Sequence, residues 1–385
     1  MESQPKQSFA TFLKIKQMLR SGIDIIELET GTTSFDTPAN IKEATKRALD
    51  QGYVHYDEMT GHREFREALA IKLKRDNGID ADPNTQVLVT SGLTQGSFAA
   101  LMALVDAGDE VINFNPGYPS HYKRITFADG KITYVPLKKE EDYRLNPEEL
   151  ENAVTSRTKA ILWVNPHNPL GRVFSEKELM GVAKIAQEHD LIVLSDETYE
   201  CFVYDGKKHI SLATIDGMAE RTVSLFNFTK AYAMDGWRLG YATGPAEIIK
   251  EMGKVTTAAH THVNVFIQRG AIEAVLGNQS AVQEMMNEDC RRRDMAVKML
   301  NEMNDVRCHK PEGSMYVFPD FSDYGIESER LVEMILDKAH VGVSSGTEFG
   351  SLGKGHLRMC FGAVNYERLK EGIERIEKIG SQLRR

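Results

Sequence analysis

Short apolar runs punctuate the first two thirds of the chain: VLVT (87–90), VINF (111–114), ITYV (132–135), AILWV (160–164), LIVL (191–194) and VSLF (223–226). Runs this short, apolar on both alternating faces, predict strands buried inside a sheet. Between them the period changes from two to about 3.6. Phe98, Leu101, Met102 and Val105 form one helical stripe, and Leu179, Val182, Ala183 and Ala186 form another. The second is opened by Ser175-x-x-Glu178, a capping box. Asn146 before Pro147 predicts an N-cap with proline at the first helical position. Phe65, Leu69 and Leu73 also recur at helical spacing.

Strands alternating with helices predict an α/β architecture, three layers with a mainly parallel sheet covered on both faces. Ligands of such sheets gather outside the carboxyl ends of the strands. After residue 275 the rhythm shifts. A long amphipathic stretch to about Met303 leads into predicted strands at 315–318, 341–343 and 356–360. The expected division is a large domain over 41–275 and a smaller α+β domain from 1–40 plus 276–385.

A chain of 385 residues suits two domains rather than one core. The net charge of −9 and the absence of a long basic block argue against nucleic acid as a partner. The triplet Arg291, Arg292, Arg293 sits beside Glu288, Asp289 and Asp294 and reads as a solvated helix face. The opening MESQPKQSFA has no apolar segment, no long apolar run predicts a membrane span, and four cysteines are scattered. A cytoplasmic protein without a disulfide framework is the expectation. His260 and His262 alternate as on a strand face but lack a third ligand, so no metal is expected.

Chemistry is concentrated after the strand runs. LIVL leads into Ser195-Asp196-Glu197-Thr198-Tyr199, VSLF into Asn227-Phe228-Thr229-Lys230, and Gly236-Trp237-Arg238-Leu239-Gly240 follows. Each ionisable group alone has a plain reading as a cap or a surface charge; together they deliver an acid, a phenol, an amine and a guanidinium to strand ends.

A series of motifs then resembles the class I and II aminotransferases, which are fold-type-I pyridoxal-5′-phosphate enzymes. In order these are LETGTTSFDTP (28–38), YDEMTGHREFR (56–66), TSGLTQG (90–96), DAGDEV (106–111), NPGYPSHY (115–122) and NPHNPLGRVFS (165–175). SDETYE (195–200), NFTKAYAMDGWRLGY (227–241), PEGSMYVF (311–318), GTEFG (346–350) and HLRMCFG (356–362) complete the series.

The resemblance implies that Lys230 carries the cofactor as a Schiff base and later shuttles a proton. It implies that Asp196 pairs with the pyridine nitrogen, that Tyr199 and Asn168 hydrogen-bond the ring 3′ oxygen, and that Tyr118 stacks on the ring. Gly92, Leu93 and Thr94 at a helix N-terminus, with Thr229 and Arg238, are the implied phosphate cradle. Tyr56 is the implied contribution of a neighbouring subunit, hence a homodimer. Arg358 and Gly31 match the groups that hold the substrate α-carboxylate, the arginine through its planar fork.

The chain departs from the family pattern at Gly31-Thr32-Thr33-Ser34-Phe35, at Leu170 and at Asn227, where a serine is usual. The activity implied is transfer of an amino group from an α-amino acid to a 2-oxo acid by a ping-pong route. A carbon–sulfur β-lyase on the same fold is the alternative. His262, Arg63 and Lys254 are nominal candidates for a second substrate carboxylate.

Overall fold

The computed structural model describes residues 8–383. The first seven residues of the polar opening, which the sequence reading assigns to the small domain, lie outside the described residues. After a helix at Ser8–Arg20 comes the short strand β1 (Ile26–Glu27). Seven strands then build the main sheet: β2 (Val87–Thr90), β3 (Glu110–Asn115), β4 (Lys131–Pro136), β5 (Thr158–Val164), β6 (Ile192–Asp196), β7 (Thr222–Asn227) and β8 (Gly240–Thr243). Their spatial order is β2-β8-β7-β6-β5-β3-β4.

All six apolar runs lie in this sheet, and β3, β4, β5, β6 and β7 pair in parallel; the run at 132–135 is corrected, since β4 has a neighbour on one side only and buries just Val135. β8, with the sequence GYAT, lies outside the six apolar runs. It inserts antiparallel between β2 and β7, and pairs with both. The chain can return beside β7 without a crossover helix because antiparallel neighbours need only a loop. That loop, residues 228–239, carries Lys230 and Arg238.

Helices pack on the sheet largely where the 3.6 period places them. The Ser175–Glu178 capping box is formed in both directions, and the Asn146 side chain accepts the Glu148 amide. One stripe is corrected. On the helix Gly92–Leu104, Met102 faces solvent, and the buried face is built from Gly96, Ser97, Ala99, Ala100 and Leu101. A Cβ at Gly96 would lie 3.3 Å from Thr90 Oγ1 and 3.4 Å from a Leu225 methyl. The helix is close enough to the sheet that small side chains, rather than the longest apolar ones, occupy the seam.

The arginine triplet is a further correction. Arg291 is exposed, but Arg292 is buried and Arg293 is 0% exposed. Arg293 donates to Asp205, Asp294 and the Pro311 carbonyl and lies over the Tyr204 ring, so its charge is compensated inside the protein. His260 ends the helix Ala246–His260 and His262 follows in a loop, so the two do not share a strand face.

Beyond residue 275 the amphipathic stretch forms the helix Ser280–Glu302. The three strands expected there are present but shorter, β9 (Tyr316–Val317), β10 (Val341–Gly342) and β12 (Leu357–Cys360), and an unexpected strand, β11 (Ser344–Ser345), follows β10. β12 pairs antiparallel with β11 and β9, and β1 pairs parallel with β10. The chain near Leu28 is also tied to this part by backbone bonds to Gly342 and Cys360. One buried cluster runs without a break from Val89 and Phe226 of the main sheet to Val317, Leu357 and Ile376. Among the described residues no helix is long and apolar enough to cross a membrane.

Candidate active site

Backbone geometry builds an anion site first. β2 runs through Ser91 into the helix Gly92–Leu104, whose N-terminus presents unpaired amides and the positive end of its dipole. Gly92 has φ +73°, and a Cβ there would lie 2.5 Å from a terminal nitrogen of Arg238. Gly240, at the start of β8, lies so close that a Cβ would meet the Leu93 amide nitrogen at 2.7 Å. Two glycines therefore allow the guanidinium and the helix N-terminus to meet. Arg238 itself is held at φ +57° and donates to the Asp235 carbonyl at 2.7 Å. Thr229, whose amide is tied to Asn227 Oδ1, lies on the same cavity wall.

Asp196, the last residue of β6, is almost fully enclosed. Its Oδ1 accepts from the Thr198 amide at 3.0 Å and from the Thr198 hydroxyl at 2.6 Å; its Oδ2 lies 2.9 Å from His121 Nε2. Burial alone raises a carboxyl pKa, but the bonds to His121 and Thr198 outweigh it and hold Asp196 below the usual value. His121 stands one turn into the helix Pro119–Phe127, edge-on to the Tyr118 ring. Its pKa is lowered by burial, and the Arg124 charge adds to that.

Lys230 is enclosed beyond β7, its amine donating to the Gly31 carbonyl. Burial pulls its pKa from 10.5 to about 8, and the charges of Arg358 and Arg238 act in the same direction. Tyr199 and Tyr316 share a hydroxyl–hydroxyl bond of 2.8 Å. A Cβ on Gly31 would overlap the Tyr316 hydroxyl, which explains glycine at that position. Arg358, on β12, lies over the rings of Tyr316 and Phe349. It donates to the Glu29 carbonyl at 2.6 Å and to Asn168 Oδ1 at 3.4 Å, and its buried Nε has no partner.

One cavity of about 320 Å³ gathers Lys230, Asp196, Tyr199, Asn168, Tyr118 and Arg358. Gly31, Leu93, Thr94, Thr229 and Arg238 line it too, with Gly92 behind Arg238. Tyr56 is not brought there by its own chain: it is 86% exposed and touches His262 edge-on. Of the nominal distal cations, Arg63 and Lys254 pair with Glu67 and Glu251 on helix surfaces. Neither they nor His262 lines the cavity. Lys123 lines an adjoining cavity of about 360 Å³ that shares Thr30, Gly31, Tyr118 and Arg358.

His121, Arg124, Thr198, Asn227 and Tyr316 belong to the site but not to the sequence-based candidates. His121 is legible to the extent that it shares one motif with Tyr118, which caps the helix that His121 enters. The set fits a pyridoxal phosphate: a neutralisable amine, a held carboxylate, an aromatic face and an anion cradle within one cavity.

The aminotransferase class I and II family model matches residues 23–376. Aspartate aminotransferase of Pyrococcus abyssi is 43% identical over 92% of this chain and 92% of its own length. Aromatic-amino-acid aminotransferase 2 of Thermococcus litoralis is 42% identical over 94% of this chain and 93% of its own. The solved aspartate aminotransferase of Thermus thermophilus with maleate superposes with a TM-score of 0.92 at 35% identity, covering 98% of this chain and 97% of that one. The chain belongs to the class I and II aminotransferases, and is a pyridoxal-phosphate-dependent transaminase of fold type I.

Proposed function

We propose that aspartate and aromatic amino acids are the donors, that a 2-oxo acid is the acceptor, and that the cavity residues carry the roles their motifs imply. The names of the relatives support the donor classes. The cavities support both as well, with Tyr118 and Phe349 as apolar walls and Lys123 as a cation beside them. The observation that carries the reading is a buried amine with a pKa of about 8 in one cavity with Asp196 and Arg358.

Bound cofactor supplies the electron sink that makes a Cα–H bond acidic. Arg358 and the Gly31 amide would hold the substrate α-carboxylate and so orient its Cα. Tyr118 would supply an aromatic face for the cofactor ring, and Asn168 and Tyr199 would offer donors to its 3′ oxygen. Asp196 keeps a proton on the ring nitrogen. Lys230, whose pKa of about 8 makes the neutral amine accessible, would hold the cofactor aldehyde and, once freed, would be the base placed to take a proton from the substrate Cα. The helix Gly92–Leu104, Thr229 and Arg238 anchor the phosphate. Tyr56, exposed on its own chain, serves the partner's phosphate in a homodimer. The same reading divides the chain into a 41–275 domain and a smaller one from 1–40 plus 276–385, and places the enzyme in the cytoplasm.

Borohydride reduction followed by peptide mapping tests the centre of the proposal: the label is expected on Lys230, and a label elsewhere overturns it. A donor panel read at the cofactor absorbance tests the substrates. Aspartate and phenylalanine are expected to change the spectrum; pyruvate and thiol release without a 2-oxo acid, from a cysteine conjugate, would turn the reading to elimination.

A further inference from the structure

Six arginines of the described residues are buried. Arg66, Arg172, Arg292 and Arg293 each have a carboxylate within ion-pairing distance. Arg124 and Arg358 have none. A buried guanidinium without a counter-ion costs several kcal/mol on the order of the desolvation penalty of one ion, so packing alone does not account for it. For Arg358 the missing carboxylate is the substrate's, on the reading above. Arg124 has no carboxylate in direct contact; the Tyr118 hydroxyl and the Asp196 charge beyond His121 are what favour its charged form.

Arg124 is 7% exposed and lies in the wall of the main cavity. It stands one helical turn beyond His121, which is 0% exposed, and its Nη1 is 3.2 Å from His121 Nδ1. A guanidinium has donors and no acceptor. His121 Nδ1 must therefore offer its lone pair, and the only ring proton is left on Nε2. That nitrogen is 2.9 Å from Asp196 Oδ2. With the opposite tautomer, the Nε2 lone pair would face the carboxylate and the contact would become repulsive unless Asp196 took up a proton. A protonated Asp196 has one carboxyl oxygen fewer to accept a proton-bearing ring nitrogen.

We propose that Arg124 is a positioning residue: it fixes the Nε2–H tautomer of His121 and thereby keeps Asp196 a carboxylate for the cofactor. The chain of contacts is Arg124 to His121 to Asp196, with Thr198 securing the other carboxylate oxygen. This rests on the proposed role of Asp196, but its first test does not.

The test uses the full-length protein labelled with ¹⁵N histidine, with and without pyridoxal phosphate, the His121 signals being assigned by their loss in His121→Asn. A protonated Nε2 and an unprotonated Nδ1 are expected in both forms. Arg124→Met keeps the side-chain volume and removes the donors. It is expected to release the second tautomer or the doubly protonated ring, to weaken cofactor binding, and to lower kcat about 10- to 100-fold with KM little changed. Arg124→Lys, also a pure donor, is expected to restore the tautomer and part of kcat. If Arg124→Met does not fold, Arg124→Gln decides in its place: its amide oxygen can accept from a protonated Nδ1, so the doubly protonated ring or second tautomer is expected, and an unchanged tautomer and kcat overturn the proposal. A proton on His121 Nδ1 in the wild type, or an Arg124→Met protein with the wild-type tautomer and kcat, overturns the proposal. Failure of the Lys230 mapping would leave the apoprotein tautomer measurement standing, so the two failures are distinct.

Discussion

At the residue scale, burial sets the chemistry of Lys230. Attachment of the cofactor aldehyde needs the neutral amine, and a pKa of about 8 instead of 10.5 leaves roughly a tenth of it neutral at pH 7. The rate of covalent attachment to the apoprotein is therefore expected to rise about tenfold per pH unit below 8 and to level off above it. Stopped-flow absorbance reads this directly. Lys230→Ala should lower transaminase kcat by about 10²–10⁴-fold or more, since it removes both the attachment point and the proton carrier. Gly31 makes a sharper test of packing. Gly31→Ala puts a methyl into the Tyr316 hydroxyl, so KM for the amino acid should rise, and adding Tyr316→Phe should recover part of the loss. Steady-state kinetics of the two single variants and the double variant separate this from a general loss of fold.

At the element scale, the long helix Ser280–Glu302 holds the substrate-side loop. Arg292 donates to Ser34 and to the Gly362 carbonyl and packs over Phe35, with Asp289 Oδ1 3.2 Å away. Asp289 Oδ2 is buried without a partner, and burial raises its pKa from 3.8 to about 7. A carboxyl raised on folding favours the native state where it is protonated, and that contribution is lost as pH rises through the folded pKa. Between 3.8 and about 7 each pH unit removes about 1.4 kcal/mol, so the stability change on Asp289→Asn should be about 2–3 kcal/mol more favourable at pH 8 than at pH 5, read from thermal melts at the two pH values. The helix Gly92–Leu104 gives a complementary case, because at Gly96 its seam with the sheet leaves no room for a large side chain. Gly96→Leu should cost about 1–3 kcal/mol in denaturant unfolding through overpacking.

At the scale of the whole molecule, the exposed Tyr56 requires a second chain if it is to reach a phosphate. In a mixed dimer of Lys230→Ala and Tyr56→Ala chains, one of the two sites has an intact Lys230 and faces the intact Tyr56 of the other chain. Refolding the two variants together should recover activity that neither has alone. Recovery no greater than the sum of the separate variants would place Tyr56 outside the site.

Much of this protein is decided locally. All the apolar runs but that of β4 specify their strands because a segment buried on both faces has no other use for continuous hydrophobicity, and the capping residues at 146, 175 and 178 act within four residues of chain. The ordered motifs likewise point to Lys230, Asp196, Arg238 and Arg358, since chemistry at strand ends is carried by residue type and spacing. Non-local contact decides the rest. Strand β8 enters the sheet because two neighbours accept it; Met102 faces water because the seam is narrow; Arg293 is buried because Asp205 and Asp294 meet it. The His121–Asp196 bond joins positions 75 residues apart, and the Tyr316–Gly31 contact joins a strand to a distant loop. Pairings of this kind depend on which surfaces the folded chain brings within a few ångströms, and a linear pattern of residue types carries no record of that distance.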